Sequence, residues 1–401
     1  MYKNDLRKKQ LSLLVLLACV GMLISNGCQG RGETKKGNPK TSEKLDTVGG
    51  ISFQKLDSAL SDASTGKFTQ LTAAETGIEF QNDLLPANMR KYLLNGAGIA
   101  TGDFDNDGLV DIYAISQDGD NRLFRQTDVW KFQDVTDSAG DLAGGNLQGT
   151  GAAFADVNND GWLDLYACNI NGENLLFINQ QNGQFVEEAK IRGVHHPGAT
   201  TMASFADYDQ DGDLDLYLVN NRVLSLVEES PNLKIRKVGD RSTVHPDYLD
   251  QYFFIGERLQ EAGQRDRLYR NDGQGNFEDV TDNAGIAGQD MGLSATWWDF
   301  DNDGWMDLYV ANDLKSPDHL YRNMGDGTFK DVIADTVGHT PWFSMGADSA
   351  DINNDGLMDF LVSDMSSTTH YKQKTTMGEI CLLYTSPSPR DRTRSRMPSS
   401  A

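Results

Sequence analysis

Residues Asp299 to Asp307 read DFDNDGWMD, with oxygen-bearing side chains at the first, third, fifth and ninth positions. Glycine at the sixth position permits a sharp reversal, and the seventh residue can offer its carbonyl oxygen. A short loop with this spacing can wrap a hard, oxygen-preferring cation. The pattern recurs as DFDNDGLVD from Asp103, DVNNDGWLD from Asp156, DYDQDGDLD from Asp207 and DINNDGLMD from Asp351. We therefore expect five equivalent cation loops.

Each loop is expected to use four side chains and one carbonyl oxygen. The expected side-chain ligands are Asp103, Asp105, Asp107, Asp111, Asp156, Asn158, Asp160, Asp164, Asp207, Asp209, Asp211, Asp215, Asp299, Asp301, Asp303, Asp307, Asp351, Asn353, Asp355 and Asp359. The expected carbonyl ligands belong to Leu109, Trp162, Asp213, Trp305 and Leu357. Asparagine replaces an acid at the third position of two loops, and these two sites are expected to be weaker because affinity follows ligand charge.

An EF-hand loop begins with the same letters but needs a glutamate at its twelfth position and a helix on either side. The twelfth positions here are Ala114, Ala167, Leu218, Val310 and Val362. Each loop is followed by a strand-like segment such as DLYLV or DLYVA, rich in β-branched and aromatic residues. The loops are therefore expected to join two strands.

The loops lie in a repeat of roughly fifty residues, because their first aspartates are 53, 51, 92 and 52 positions apart. The unit seen best, residues 292–338, contains LSATWWDF, the loop, MDLYVAND, HLYRN, a Gly-rich hairpin and FKDVI. Four antiparallel strands at this period are typical of a β-propeller blade. We predict an all-β fold, a β-propeller of four-stranded blades with calcium-binding hairpin loops. A fifth unit that stops before its third strand predicts an incomplete, truncated ring.

The segment FTQLTAAETGIEF from Phe68 resembles FQDVTDSAG from Phe132 and FEDVTDNAGI from Phe277. It is interpreted as the outer strand of a repeat. The inner strands of that repeat are missing from the N-terminal side. In closed propellers such a strand joins the two ends of the chain and removes exposed sheet edges. With the last blade unbuilt, we expect an open arc.

The net charge of −23 argues against nucleic-acid binding. Nineteen of the 59 acidic residues lie in the five loops, so metal binding and folding should be coupled.

The four cysteines, Cys19, Cys28, Cys168 and Cys381, have no spacing typical of zinc, haem or a redox pair. Cys168 is interpreted as a small buried hydrophobe.

The chain is divided into an export segment (1–28), a flexible tether (29–65), the propeller repeats (66–378, with an insertion at 221–266) and a non-native tail (379–401). A basic start, the apolar run 11–24 and the sequence SNGC resemble a bacterial lipoprotein signal that leaves Cys28 acylated. Cleavage before Cys19, a plain signal peptide and an uncleaved anchor remain alternatives. The expected location is the bacterial cell envelope, on its periplasmic side or at the surface, with a lipid anchor in the membrane.

NGAGIATGDF, the acidic loops, LYRN and GxGxF-x-DVT resemble FG-GAP/VCBS repeats, the calcium-binding propeller blades also found in integrin α subunits. The order of elements and the segment SMGADSADINNDGLMDFLVSDM resemble bacterial repeat lipoproteins that carry a C-terminal ASPIC/UnbV domain, which this sequence lacks. The resemblance covers about residues 66–378 and implies calcium. Ligand chemistry independently agrees, since several carboxylates suit Ca²⁺ better than Mg²⁺ and no histidine or cysteine is placed for zinc. Up to five Ca²⁺ ions are expected.

The sequence contains no recognisable catalytic motif. His195 and His196 are interpreted as solvated loop residues. Trp297, Trp298, Trp305 and Trp342 are interpreted as core and rim packing, with a sugar platform as the alternative.

We expect a non-enzymatic adhesion module that binds an extracellular or periplasmic protein or glycan. The alternative is a calcium-dependent polysaccharide lyase acting through residues of the insertion, namely Lys234, Arg236, His245 or Tyr248.

Overall fold

The computed structural model describes residues 46–48, 51–53, 69–86, 96–145, 147–222, 236–238, 241–243, 252–255, 258–313, 316–341 and 343–365. The chain divides into two units, residues 1–72 and 73–401. In the first unit, strands β1 (Asp46–Val48) and β2 (Ile51–Phe53) pair antiparallel. The expected export segment, Cys28 and most of the expected tether lie outside the described residues, as does the tail.

The second unit is built from antiparallel blades. Blade 1 contains β3 (Ile99–Gly102), β4 (Asp111–Ala114), β5 (Arg122–Asp128) and β6 (Lys131–Asp134). Blade 2 contains β7 (Gln148–Ala155), β8 (Asp164–Glu173), β9 (Leu175–Asn179) and β10 (Phe185–Glu187). Blade 3 contains β11 (Pro197–Ala206), β12 (Asp215–Asn220), β17 (Arg267–Asn271) and β18 (Phe277–Asp279). Blade 4 contains β19 (Gly292–Trp298), β20 (Asp307–Asn312), β21 (His319–Asn323) and β22 (Phe329–Asp331).

A fifth unit is described only in its first two strands, β23 (Ser344–Ala350) and β24 (Asp359–Asp364), which pair antiparallel. The insertion in blade 3 contributes the hairpins β13 (Arg236–Val238) with β14 (Arg241–Thr243) and β15 (Tyr252–Ile255) with β16 (Arg258–Glu261). The fold is an incomplete β-propeller of four-stranded blades, as the repeat predicts. Blades 2 and 3 also share one sheet, because β8 pairs with β11 as well as with β7.

The hydrophobic core lies between neighbouring blades. Successive side chains of a strand point to opposite faces of its sheet. Leu165 of β8 accordingly packs in a cluster with Tyr113 of blade 1, whereas the next residue, Tyr166, packs in a cluster with Tyr269 of blade 3. The second strand of an inner blade is therefore buried on both faces, which explains its nearly continuous apolar sequence. Cys168 of β8 is fully buried, as predicted.

Within the described residues, four short helices lie beside the blades: α1 (Ala73–Thr76), α2 (Thr136–Ala139), α3 (Ala189–Arg192) and α4 (Ile333–Thr336). The sequence predicts an outer strand from Phe68. Described residues 69–86 contain α1 and no strand, so the prediction is wrong for these residues. A β-carbon added to Gly77, after α1, would lie 2.2 Å from the carbonyl oxygen of Phe132, and one added to Gly140, after α2, would lie 2.6 Å from that of Phe185. The sequence similarity therefore reflects an equivalent helical turn against the next blade.

None of the helices in the described part of the chain has the length and apolar character that crossing a membrane requires.

Candidate metal centres

The five acidic loops connect the first and second strands of the blades, as predicted, and share one backbone conformation. The fourth residue is left-handed in every loop, with φ between 56° and 61° at Asn106, Asn159, Gln210, Asn302 and Asn354. The sixth residue is a glycine with φ between 85° and 94°. A β-carbon on Gly108 would meet nothing within 4 Å, so the backbone angle rather than crowding favours glycine.

The first aspartate of each loop holds this conformation. Oδ1 of Asp103 accepts a hydrogen bond of 3.0 Å from the backbone N–H of Asp107, and Oδ2 accepts one of 2.9 Å from Gly108. The equivalent pairs of bonds occur at Asp156, Asp207, Asp299 and Asp351. The first carboxylate therefore points into the loop before any cation is considered.

The ninth aspartate ties the loop to the third strand. Asp111 is fully buried and accepts hydrogen bonds from the backbone N–H of Phe104 (3.1 Å) and of Gln126 in β5 (2.7 Å). Asp164, Asp215 and Asp307 are buried in the same way and accept the same two bonds. Asp359 accepts only the loop bond, 3.0 Å from Ile352, among the described residues.

Burial makes the charge on these ninth-position carboxylates costly. Burial raises the pKa of Asp111 and of Asp164 to about 7, of Asp215 to about 8 and of Asp307 to about 6. Backbone hydrogen bonds oppose this rise, and the other loop aspartates add to it. A divalent cation would favour the ionised form of every carboxylate in the loop.

Three loops bring carboxylates within 4.8 Å of one another: Asp103, Asp105 and Asp111 in the first loop, Asp207, Asp209 and Asp215 in the third, and Asp299, Asp301 and Asp303 in the fourth. In the third loop, Oδ1 of Asp209 and Oδ1 of Asp213 are buried and have no hydrogen-bond partner. Unpartnered buried oxygens among clustered carboxylates form a donor set that fits a hard cation. The loops with Asn158 and Asn353 have one carboxylate fewer.

Two arginines, which the sequence analysis missed, neutralise part of this charge. Arg125 of β5 contacts Asp105 and pairs with Asp107 at 3.0 Å, and Arg322 of β21 pairs with Asp301 at 2.6 Å and with Asp303 at 3.0 Å. In blade 3 the corresponding Arg270 pairs with Glu278 instead, at 2.9 Å. The sequence signal for these arginines was their position in the third strand, where Arg125 follows Leu-Phe and Arg322 follows Leu-Tyr.

An asparagine at the end of the third strand joins consecutive loops. The Nδ2 group of Asn271 donates to the carbonyl oxygen of Val157 in the second loop (2.7 Å) and to that of Leu214 in the third (3.0 Å). Asn179 and Asn323 make the equivalent pairs of bonds. We call Asn179, Asn271 and Asn323 the clamp asparagines. Each acidic loop that receives a clamp is fixed against the following blade.

A profile of the FG-GAP-like repeat matches residues 103–167, 156–218, 250–310 and 299–362. Three of these matches run from one acidic loop to the strand that follows the next, and together the matches cover more than half of the chain. The chain belongs to the FG-GAP-like repeat family. The predicted FG-GAP repeats are thus confirmed.

Among relatives, this FG-GAP-like chain is similar to cartilage acidic protein 1. The Xenopus tropicalis protein is 27% identical over 268 residues, covering 66% of this chain and 34% of the relative. The Homo sapiens protein is 25% identical over 268 residues, with the same shares covered. The chain thus spans about a third of the length of these curated relatives.

Two solved structures are also similar to the FG-GAP-like chain. One is an Agrocybe aegerita lectin that recognises non-reducing terminal N-acetylglucosamine, with a TM-score of 0.35, 15% identity, and 65% of this chain and 59% of that chain covered. The other is the V. cholerae biofilm matrix protein Bap1, with a TM-score of 0.31, 11% identity, and 67% and 34% covered.

The carbonyl groups predicted as ligands belong to the seventh residue of each loop. The N–H group of the same residue donates a hydrogen bond within the loop. The N–H of Leu109 donates to Asp107 at 2.9 Å, and the equivalent bonds occur at Trp162, Asp213, Trp305 and Leu357. The seventh residue of each FG-GAP-like loop is thereby held beside the fifth-position carboxylate.

The two histidines before blade 3 lie in a loop, as predicted, but they are less exposed than the sequence prediction expected. His195 and His196 are both half-buried, and burial, with Arg267 nearby, lowers the pKa of His196 to about 4. The Gly/Pro context predicts a surface turn, but residues 197–206 form β11, which pairs with β8 of the neighbouring blade. Of the insertion, Lys234, His245, Tyr248 and the side chain of Arg236 lie outside the described residues.

Proposed function

We propose that this chain is a non-enzymatic, calcium-binding β-propeller module of the bacterial cell envelope that binds a protein or a glycan. The observation that carries the proposal is the shared geometry of the five loops, in which the same carboxylate organises the same backbone. Repeated sites that each join two strands of a blade support a structural role for the ion.

Calcium is the cation that this donor set favours. The loops offer carboxylate, amide and carbonyl oxygens, which a flexible Ca²⁺ coordination sphere accepts, whereas Mg²⁺ keeps more water. Up to five ions would be held by the first, third, fifth and ninth side chains and the seventh carbonyl of each loop. When bound, each ion would supply positive charge to a cluster of carboxylates that repel one another. The two loops with asparagine at the third position would bind it more weakly.

The roles of the aspartates support a binding module over an enzyme. Asp111 accepts two backbone hydrogen bonds, and so do its equivalents in blades 2 to 4, which commits them to holding loop and strand together. A general acid or base needs a proton that substrate can reach, and fully buried carboxylates with backbone partners do not offer one.

Export to the envelope is supported by the sequence at the start of the chain. Residues 1–10 are basic and residues 11–24 are apolar, and Cys28 follows in a lipoprotein-like context. Acylation of Cys28 would anchor the chain to a membrane, on the periplasmic side or at the cell surface.

The test is a binding screen of the full chain against glycans and envelope proteins, in calcium and in EDTA. We expect binding to at least one partner in calcium and its loss in EDTA, together with metal-dependent folding. Double-bond formation from an acidic polysaccharide, lost on substituting residues of the insertion, would establish the lyase instead.

A further inference from the structure

Two grooves open beside the acidic loops at equivalent places in the propeller. One lies between blades 3 and 4 and has a volume of about 430 Å³. The other lies between blades 1 and 2 and has a volume of about 340 Å³. Both fall at the lower end of the range for small-molecule sites, roughly 300–1,000 Å³. We call them the tryptophan grooves, because each is lined by the tryptophan at the seventh position of an acidic loop.

In the groove between blades 3 and 4, the half-buried indole of Trp305 forms one wall. An added β-carbon at Gly325 would lie 2.9 Å from this indole, so the blade 4 hairpin backs the ring closely. The buried side chains Tyr208, Val280 and Ala284 form the floor. The polar rim is formed by Asp209, Arg270, Glu278, Asn283, Asp326 and Thr328.

The groove between blades 1 and 2 repeats this arrangement with different residues. Trp162 takes the place of Trp305, and Phe104 takes the place of Tyr208 in the floor. Asp105 and Arg125 stand where Asp209 and Arg270 stand in the other groove. The remaining rim is formed by Ser138, Gln181 and Asn182. An aromatic wall opposite a carboxylate and a guanidinium is therefore common to both grooves.

The space between blades 2 and 3 shows that blade packing does not by itself create such a groove. Arg192 lies there, and its guanidinium donates to Glu188 (2.8 Å) and across the gap to the carbonyl oxygen of Gln274 in the blade 3 hairpin (2.7 Å). The equivalent positions, each followed by a glycine, are Ala139 and Ala284 beside the open grooves. The seventh loop position is Asp213 there, not tryptophan.

We propose that the two tryptophan grooves are saccharide-binding subsites, each of which stacks a neutral pyranose ring on its indole. The proposal rests on the proposed function as a binding module and names where a glycan would bind. An indole offers a large flat apolar face, and the rim offers both hydrogen-bond donors and acceptors for hydroxyl groups. An anionic ligand is disfavoured in the groove between blades 3 and 4, because Asp326 lies on its rim and the charge of Arg270 is already paired with Glu278.

The volumes limit the ligand to one or two sugar rings in each groove. A ligand of this size that stacks on one indole and makes a few hydrogen bonds binds weakly, with Kd ~1 mM. Two equivalent subsites in one propeller would raise the apparent affinity for a glycan chain long enough to reach both.

The test is saturation-transfer NMR on the full chain in saturating calcium, with the methyl glycosides of glucose, galactose, mannose and N-acetylglucosamine as probes. We expect signal from at least one probe. Trp162→Ala and Trp305→Ala should each lower that signal, and the double variant should weaken binding at least ~10-fold. Trp130→Ala is the matched control, because Trp130 is exposed on the β5–β6 hairpin and lines neither groove.

Ser138→Arg and Asn283→Arg provide a second test that keeps both tryptophans. Each places an arginine at an exposed position that lines its groove and should close the groove without removing the indole. Far-UV circular dichroism and calcium-dependent melting confirm that every variant folds. The saccharide subsites are overturned if no glycoside binds a folded, calcium-loaded chain, or if the double tryptophan variant binds as wild type does. Binding of another glycan or protein that ignores these variants leaves the proposed function standing and places its site elsewhere.

Discussion

Asn179, at the end of β9 in blade 2, donates a hydrogen bond of 2.8 Å to the carbonyl oxygen of Phe104, in the acidic loop of blade 1. The same amide group donates at 3.0 Å to Leu163 in the loop of its own blade. One buried side chain therefore satisfies backbone groups of two consecutive loops. The candidate metal centres are consequently not independent, because each clamp asparagine links the positions of two of them.

Removal of a clamp asparagine should destabilise the propeller. In Asn271→Ala, the carbonyl groups of Val157 and Leu214 each lose a hydrogen-bond donor and the N–H groups of Asp272 and Gly275 lose an acceptor, at an expected cost of about 1–3 kcal/mol. Urea unfolding in saturating calcium measures the change. Asn283→Ala, at an exposed asparagine, is the control and should change the free energy of unfolding by less than ~0.5 kcal/mol. Equal losses in the two variants would contradict a clamp.

An exchange of the third-position residues between two loops should exchange their calcium affinities. Asn158→Asp adds a carboxylate to the second loop and should tighten its site, whereas Asp105→Asn should weaken the first, each by roughly tenfold because affinity follows ligand charge. Isothermal titration calorimetry on the full chain resolves tight from weak sites. Unchanged titrations in both variants would show that the third position does not contact the ion.

The arginine beside the fourth loop should compete with calcium. Arg322 pairs with Asp301 and Asp303, two of the expected ligands, so Arg322→Gln should destabilise the metal-free chain and enlarge the stabilisation that calcium adds. Melting in EDTA and in calcium measures both effects. Arg122→Gln is the matched control, since Arg122 pairs with Asp120 and Asp134, which lie outside the acidic loops. A smaller calcium effect in Arg322→Gln than in wild type would show that the guanidinium assists binding.

Stability should depend on the charge of His319. Burial opposes that charge, but hydrogen bonds to Asp290 (2.9 Å) and Asp331 (2.7 Å) outweigh burial and raise the pKa of His319 to about 9. Because the folded pKa exceeds the unfolded value of about 6.5, the contribution is complete below pH 6.5 and is lost as pH rises through 9. Its upper limit is about 3 kcal/mol.

Unfolding free energies measured across this pH range in saturating calcium, which keeps the loop carboxylates ionised, test the role of His319. His319→Gln should flatten the fall in stability between pH 6.5 and 9. His339→Gln, at an exposed histidine, should leave it as in wild type. A fall of the same size in His319→Gln would assign the pH dependence to other groups.

The sequence predicted the parts of this molecule that are encoded locally. The alternation of D-x-[DN]-x-D-G loops with apolar strands specifies which strands the loops join and why Asp111 lies at the start of β4. Contacts between blades arise when one blade packs against the next, and no short sequence pattern predicts them. Asn179 is 75 residues from Phe104, and Arg192 is 82 residues from Gln274, so neither partnership could be read from spacing.

The sequence predictions that failed concern short segments whose residues are compatible with two different structures. The motif that begins FQDVT contains both a strand and the helical turn after it, and only the turn is found among described residues 69–86. The sequence around His195 and His196 predicts a polar turn, but β11, which begins at Pro197, pairs with the sheet of blade 2, and the two histidines before it are half-buried. Trp297 and Trp298 pack in the core, as predicted, whereas Trp305 lines a groove that only the next blade creates.

Calcium-dependent thermal unfolding of the full chain tests the metal sites most directly. If the acidic loops bind calcium only when folded, the midpoint must rise with calcium concentration, because each site adds about 2.7 kcal/mol to the free energy of unfolding at 100 times its Kd. The midpoint in EDTA should be the lowest, and magnesium at equal ionic strength should raise it far less. Identical midpoints in EDTA and in excess calcium would contradict the assignment of these loops as calcium sites.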